Sequence, residues 1–221
     1  RSSVRISSRE TSVLIDCGPD FRQQMLRTGA NHLDAVVLTH EHMDHVSGLD
    51  DLRPLIFRTN KPMTIWMTDR VEARLREQFA YAFSSMRYPG APEFDVRRIN
   101  HPESFTIGDQ HWQPILGSHG TWPVLGYRIG SLVYLTDLSG MEDGERDRIR
   151  GAEVLVVNAL RTQPHVAHFT LDQAIAFARS TGVPRVYFTH ISHHLGLHAE
   201  TTEALPEGMS LAHDGLRLSV A

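Results

Sequence analysis

The chain has a single cysteine, Cys17, among its 221 residues, which excludes an internal disulfide framework. Following a short apolar run, Cys17 is expected to be a small buried residue rather than a nucleophile. No apolar run approaches the ~20 residues that a membrane-spanning helix needs. The N-terminus shows no signal-peptide pattern, so a soluble, cytoplasmic protein with no membrane partner is expected. Basic charge is also in short supply. Lys and Arg total 22 against 26 for Asp and Glu, a formal charge of −4, so there is no global positive field to draw nucleic acid. With no low-complexity or Pro/Gly-rich boundary, one domain over 1–221 is expected.

What the chain has in excess is histidine, 14 residues, gathered near the ends of apolar runs rather than in one tract. The densest group is Thr39-His40-Glu41-His42-Met43-Asp44-His45, followed by Val46-Ser47-Gly48. It comes directly after Leu33-Asp34-Ala35-Val36-Val37-Leu38, whose β-branched residues predict a buried strand. In extended backbone His40 and His42 point to one side, with Asp44 and His45 just beyond. Imidazoles and a carboxylate packed this closely suit borderline divalent cations such as Zn²⁺ or Mn²⁺. A solvated polar loop has no need of so strict a spacing.

The pattern H-x-H-x-D-H-x-x-G resembles the signature of the metallo-β-lactamase-fold hydrolases, and the resemblance runs over nearly the whole chain. It implies an α/β (α+β) fold, a four-layer αββα sandwich of two mixed sheets with metal ligands at strand ends. It assigns His40 and His42 to one metal, Asp44 and His45 to a second, and calls for three later ligands. Each has a matching residue. His119 lies in Ile115-Leu116-Gly117-Ser118-His119-Gly120, with glycines giving room beside a metal, and joins the first metal. Asp137 closes Val133-Tyr134-Leu135-Thr136, where a carboxylate is poorly matched unless a cation or several donors hold it, and bridges the two. Its other reading, an N-cap for a helix predicted over 142–150, places it far upstream. His190 ends Arg185-Val186-Tyr187-Phe188-Thr189 in the same Thr-His form as the signature and completes the second metal. Two divalent ions would hold a hydroxide as nucleophile and polarise the oxygen of the attacked group; nitrogen and oxygen ligands do not choose among Zn²⁺, Mn²⁺ and Fe²⁺.

The run Gly48-Leu49-Asp50-Asp51-Leu52-Arg53-Pro54 is similar to the phosphodiesterase-like branch of that family. This branch contains the phosphodiesterase that opens a phosphoribosyl cyclic phosphate in phosphonate breakdown. Asp50 and Asp51 read as charges at a helix N-terminus, not ligands. In the branch a histidine just before a helix lies over the metals and protonates the leaving oxygen. His168, preceding a helix predicted over 171–180 with Thr170 as N-cap, matches by position, and imidazole suits proton transfer near neutral pH. Its other reading is a residue that caps or packs the loop. The expected function is therefore hydrolysis of a small (cyclic) phosphodiester, with His168 and Asp137 in catalytic roles. The alternatives are a non-hydrolytic member like the pyrroloquinoline quinone biosynthesis protein, and a thioester or lactone hydrolase. No basic or Gly-rich arm like that of the family's transfer-RNA-processing endonucleases is present. A homodimer is the default assembly.

Further residues receive expectations of their own. Asp16 ends the strand Ser12-Val13-Leu14-Ile15, where it either orients a metal-bound imidazole or fixes the turn. The chain opens at Arg1 without Met, so an upstream strand and Cys-rich segment are expected; in some relatives those cysteines hold a structural zinc with a histidine matching His193. His101 and His111 read as structural or solvated. His165, His194 and His198 receive no role, the last two being spaced i, i+4 without the H-E-x-x-H pattern. An amphipathic helix is predicted over 71–83, and Tyr81, Phe83, Tyr88 and Trp122 are expected to pack unless they line a substrate mouth.

Overall fold

Strands form where apolar runs are bounded by turn residues, and the runs buried on both sides lie inside their sheets. The computed structural model describes residues 2–86 and 88–220. One sheet takes β1 (Val4–Ser7), β2 (Ser12–Ile15), β3 (Ala35–Val37), β4 (Met63–Met67) and β5 (Phe94–Arg98) in that order. Its first pair is antiparallel and the rest run parallel. The second sheet contains β6 (Phe105–Ile107), β7 (Gln110–His119), β8 (Trp122–Ile129), β9 (Leu132–Tyr134), β10 (Val154–Asn158), β11 (Arg185–Thr189) and β12 (Met209–Leu211). Its order is β12-β11-β10-β9-β8-β7-β6, parallel from β12 to β9 and antiparallel from β9 to β7. Both sheets are mixed, as expected. β3 and β10 are buried along their whole length, the condition of an inner parallel strand. β4 alternates, with Met63, Ile65 and Met67 buried.

The chain divides into two compact units, Arg1–Asn100 with Phe105–Gln110, and His101–Ser104 with His111–Ala221. The core of the first contains Leu14, Val36, Leu38, Leu52, Ile65 and Leu75. That of the second contains Ile115, Val133, Leu135, Leu155, Val157 and Phe188. Each such side chain, once fully buried, stabilises its unit by about 1.5–3 kcal/mol.

Several helices depart from expectation. α1 (Phe21–Thr28) stops at Gly29, φ 66°. α2 (Met43–Val46) carries the end of the signature, and a 3-10 turn over Leu49–Leu52 leads into α3 (Arg53–Thr59). In place of one helix over 71–83 there are two, α4 (Asp69–Gln78) and α5 (Ala80–Phe83), broken at Phe79. Phe79 leaves helical geometry at φ −119° while its side chain stays buried. α6 (Asp143–Arg146) gives way to a 3-10 turn over Asp147–Ile149. α7 (Leu171–Thr181) starts on the predicted cap, Thr170, with Gln173 completing a capping box. α8 (His198–Ala204) begins at His198 and leaves His194 outside it.

β7 runs as far as His119, so this histidine closes a strand as its setting in the sequence suggests. After β12 the described residues form no further strand. No helix among the described residues is long and apolar enough to cross a membrane.

Candidate metal centre

In the first unit the signature is fixed by one carboxylate. Asp16 follows β2 with φ 60° and is fully buried. Its Oδ1 accepts the Thr39 backbone N–H at 2.9 Å, and its Oδ2 accepts the Thr39 hydroxyl at 2.8 Å and His45 Nδ1–H at 2.7 Å. Because the hydroxyl's one hydrogen is committed to Asp16, Thr39 Oγ1 must accept from His40 Nδ1–H, 3.0 Å away. Both imidazoles are thereby set with hydrogen on Nδ1 and a lone pair on Nε2. Of the two readings of Asp16, orientation of an imidazole is the one observed, and it also closes the turn.

The expected alternation of the signature holds. The rings of His40 and His42 meet edge to face at 4.6 Å, and those of His40 and His45 lie 4.3 Å apart. Glu41, between them, turns elsewhere and pairs with Arg70 Nε at 2.8 Å. Asp44 Oδ2 lies 3.5 Å from His45 Nε2. His40, His42, Asp44 and His45 are thus one cluster. The closing glycine of the pattern has its own cause: a Cβ on Gly48 would sit 2.1 Å from the Gly18 carbonyl oxygen. The Cys17-Gly18 backbone passes there to bond with His45 and Gly48. Cys17 itself is buried, and burial, then the charges of Asp51 and Asp16, push its thiol well up.

Asp50 does more than complement a helix end. Its carboxylate takes a hydrogen bond from Tyr81 at 2.6 Å and pairs with Arg53, while Tyr81 stacks on Tyr88. The expected packing role of Tyr81 is joined by this polar one. Burial and the bond to Asp50 raise its phenol.

The second unit gathers His119, Asp137, His168 and His190. His119 ends β7, and its Nδ1–H donates to the Ala167 carbonyl at 2.6 Å, again leaving Nε2 as the ligating nitrogen. Gly117 gives close packing rather than room, since a Cβ there would meet Leu138 Cδ2 at 2.0 Å. Asp137 stands just past β9 with φ 56°, its Oδ2 accepting the Thr136 hydroxyl at 2.6 Å. His190 follows β11 with φ 53°, and its Nε2 lies 3.3 Å from Asp137 Oδ1. His119, Asp137 and His168 each place one ligand atom within 4.8 Å of the others'. His168 Nδ1 is 3.6 Å from Asp137 Oδ1, and its ring stacks on His190 at 5.1 Å.

The electrostatics of His168 differ from expectation. Burial first, then His190, His119 and His165, pull its pKa down to about 4 against the opposing effect of Asp137. The ring is therefore neutral near pH 7, not a standing acid.

Two supports of this cluster have no signal in the signature. Asn158, at the end of β10 and fully buried, accepts the Leu138 N–H at 2.7 Å and donates to the Leu138 carbonyl at 3.0 Å. It fixes the peptide directly after Asp137. A buried amide closing an apolar strand needs partners, and that was the readable clue. The Ala167 carbonyl, being backbone, offered none. His101 pairs with Glu145 at 3.0 Å and is structural; His111 is exposed. His193 and His194 have adjacent rings at 3.8 Å.

The donor set in both units fits divalent cations. Three imidazoles have Nδ1 committed to protein acceptors, the arrangement that prepares Nε2 for a metal, and carboxylates stand beside them.

The fold and these clusters define a metallo-β-lactamase-fold protein. Residues 11–191 match the β-lactamase superfamily domain, and the chain belongs to that family. An octanoyltransferase of Porphyromonas gingivalis strain W83 is 38% identical over 216 residues, 97% of this chain. The match covers 44% of that protein, so the chain spans less than half of its length. The crystal structure of a diphosphatase from the PhnP family is 38% identical and superposes with a TM-score of 0.92, covering 100% of this chain and 85% of that one. Zn²⁺-bound PqqB from Methylobacterium extorquens, 20% identical with a TM-score of 0.76 over 100% of this chain and 87% of its own, shares the fold.

Proposed function

We propose that the protein is a metal-dependent hydrolase of a small phosphodiester, the bond cleaved being P–O–C or P–O–P. His40, His42, Asp44 and His45 in the first unit, and His119, Asp137 and His190 in the second, would be the residues that hold divalent ions. The ions, when bound, would supply positive charge that polarises a phosphoryl oxygen and makes water nucleophilic at neutral pH. Asp16, through Thr39 and directly, keeps His40 and His45 in their ligating tautomer. The Ala167 carbonyl does the same for His119.

His168 moves the proton. Being neutral, it accepts the hydrogen that the attacking water loses and delivers it to the leaving oxygen as the phosphorus–oxygen bond breaks. The products are a phosphomonoester and an alcohol, or two phosphomonoesters from a P–O–P bond. The observation that carries this reading is His168 itself, an imidazole held against Asp137 and His190 at the start of α7. The 38% identity to a PhnP-family diphosphatase over the full chain supports it. The test is hydrolysis of bis(p-nitrophenyl) phosphate by protein stripped of metal and reloaded with Mn²⁺ or Zn²⁺, with a thioester and a lactone alongside. Metal-restored cleavage of the phosphodiester alone is expected. Turnover of the carbonyl substrates in its place would overturn the reading.

A further inference from the structure

Beyond the ligand clusters, one imidazole has a fixed tautomer and no assigned task. His165 lies on the segment between β10 and α7, in the second unit, and is half-exposed. Its Nδ1 accepts the Ala167 backbone N–H at 3.2 Å. An accepting nitrogen carries no hydrogen, so the hydrogen of the neutral ring is on Nε2. Among the described residues Nε2 has no hydrogen-bond partner. The same residue, Ala167, whose backbone N–H fixes His165 uses its carbonyl to fix His119. The two rings are therefore set with opposite polarity by the backbone of one residue. His119 offers a lone pair at Nε2, and His165 offers a hydrogen.

The position of that hydrogen matters. The His165 ring lies 4.9 Å from that of His168, which in turn is 4.5 Å from His119 and 5.1 Å from His190. His165 is thus the next ring outward from the proton-transfer residue. Arg161 lies near enough for its charge to act on His165. Its guanidinium is anchored to the Gln163 carbonyl at 3.1 Å and the Pro164 carbonyl at 2.6 Å. A nearby cation together with a pre-set neutral N–H favours an oxyanion. They do not favour a cation or a metal, because the lone pair of His165 is already used.

We infer that His165 is a substrate-binding residue whose Nε2–H donates a hydrogen bond to an anionic phosphoryl oxygen of the substrate, with the Arg161 guanidinium behind it. This rests on the phosphodiesterase reading above and adds to it a recognition element outside the metal ligands. Hydrogen bonds to charged groups are among the stronger ones, so the contribution shows in binding.

Two variants separate donation from loop support. His165→Asn keeps an acceptor for the Ala167 N–H but has no N–H at the Nε2 position, whereas His165→Gln places an amide N–H near it. KM for bis(p-nitrophenyl) phosphate, the inhibition constant of inorganic phosphate and bound metal are measured for the metal-loaded protein and both variants. Expected are a rise of about tenfold in KM and in the phosphate constant for His165→Asn. His165→Gln should recover most of this, and both should carry normal metal. Unchanged KM in His165→Asn would overturn the inference and leave His165 as a loop cap. So would loss of metal in either variant. Absence of phosphodiester cleavage by the metal-loaded parent protein is a different result, which defeats the phosphodiesterase reading and takes this inference with it.

Discussion

Asp16 Oδ2 accepts His45 Nδ1–H at 2.7 Å, and the same oxygen takes the Thr39 hydroxyl that in turn receives His40 Nδ1–H. One carboxylate therefore sets two imidazoles. Asp16→Asn tests this cleanly, because asparagine tolerates the left-handed backbone at φ 60° as well as aspartate does. The amide has a single acceptor oxygen where three donors converge. Metal affinity, measured by competition with a chelator, is expected to fall by about 10–100-fold, and the buried donors left without an acceptor should lower stability by about 1–3 kcal/mol.

The proposed ligands and His168 are distinguished by what each variant loses. Asp137→Asn and His190→Ala should each lose bound metal and activity, as elemental analysis and an assay on bis(p-nitrophenyl) phosphate would report. His168→Ala should retain both metals and lower turnover by about 10²–10⁴-fold. Full turnover in that variant would remove His168 from proton transfer.

Gly48→Ala tests why the signature ends in glycine. Its Cβ would meet the Gly18 carbonyl at 2.1 Å, and backbone on both sides leaves no flexible group to yield. Urea denaturation should show a loss of about 1–3 kcal/mol. Gly144→Ala, where nothing lies within 4 Å, is the control and should be neutral or slightly stabilising.

Cys17 should be inert in the folded protein. Burial raises its thiol pKa, so the thiolate that reacts with disulfide reagents is scarce below the raised value and appears only as pH climbs toward it. At pH 8 the native protein should react with Ellman's reagent no faster than it unfolds, and react at once in denaturant. Rapid reaction in the native state would contradict the burial.

The sheets and clusters were legible because β3, β10 and β11 are short apolar runs that end in Thr-His or Asn, and period and punctuation are local properties. Gathering of His119, Asp137, His168 and His190 in the second unit followed the order of the family signature. Other features depend on what the chain meets in three dimensions. The break at Phe79 and the early end of α6 are decided by packing, not by local spacing. The neutral state of His168 was illegible for the same reason, since burial and three neighbouring histidines set it. Ala167 acts through its backbone carbonyl, which a sequence pattern does not display, and the target of the Asn158 amide is likewise the backbone of Leu138.

Asp16, Asp137 and His190 share one more property: each is a non-glycine residue in left-handed backbone within three residues of the end of a strand. Such a conformation costs on the order of 1 kcal/mol or more apiece, a cost that glycine would remove. Enrichment of variants for heat resistance alone should therefore drift Asp137 and His190 toward glycine or asparagine, whereas Asp16 is held by the three hydrogen bonds it accepts. A library screened only for solubility after heating would be expected to return sturdier proteins with altered clusters, so any stabilised form of this protein needs metal retention as a second selection.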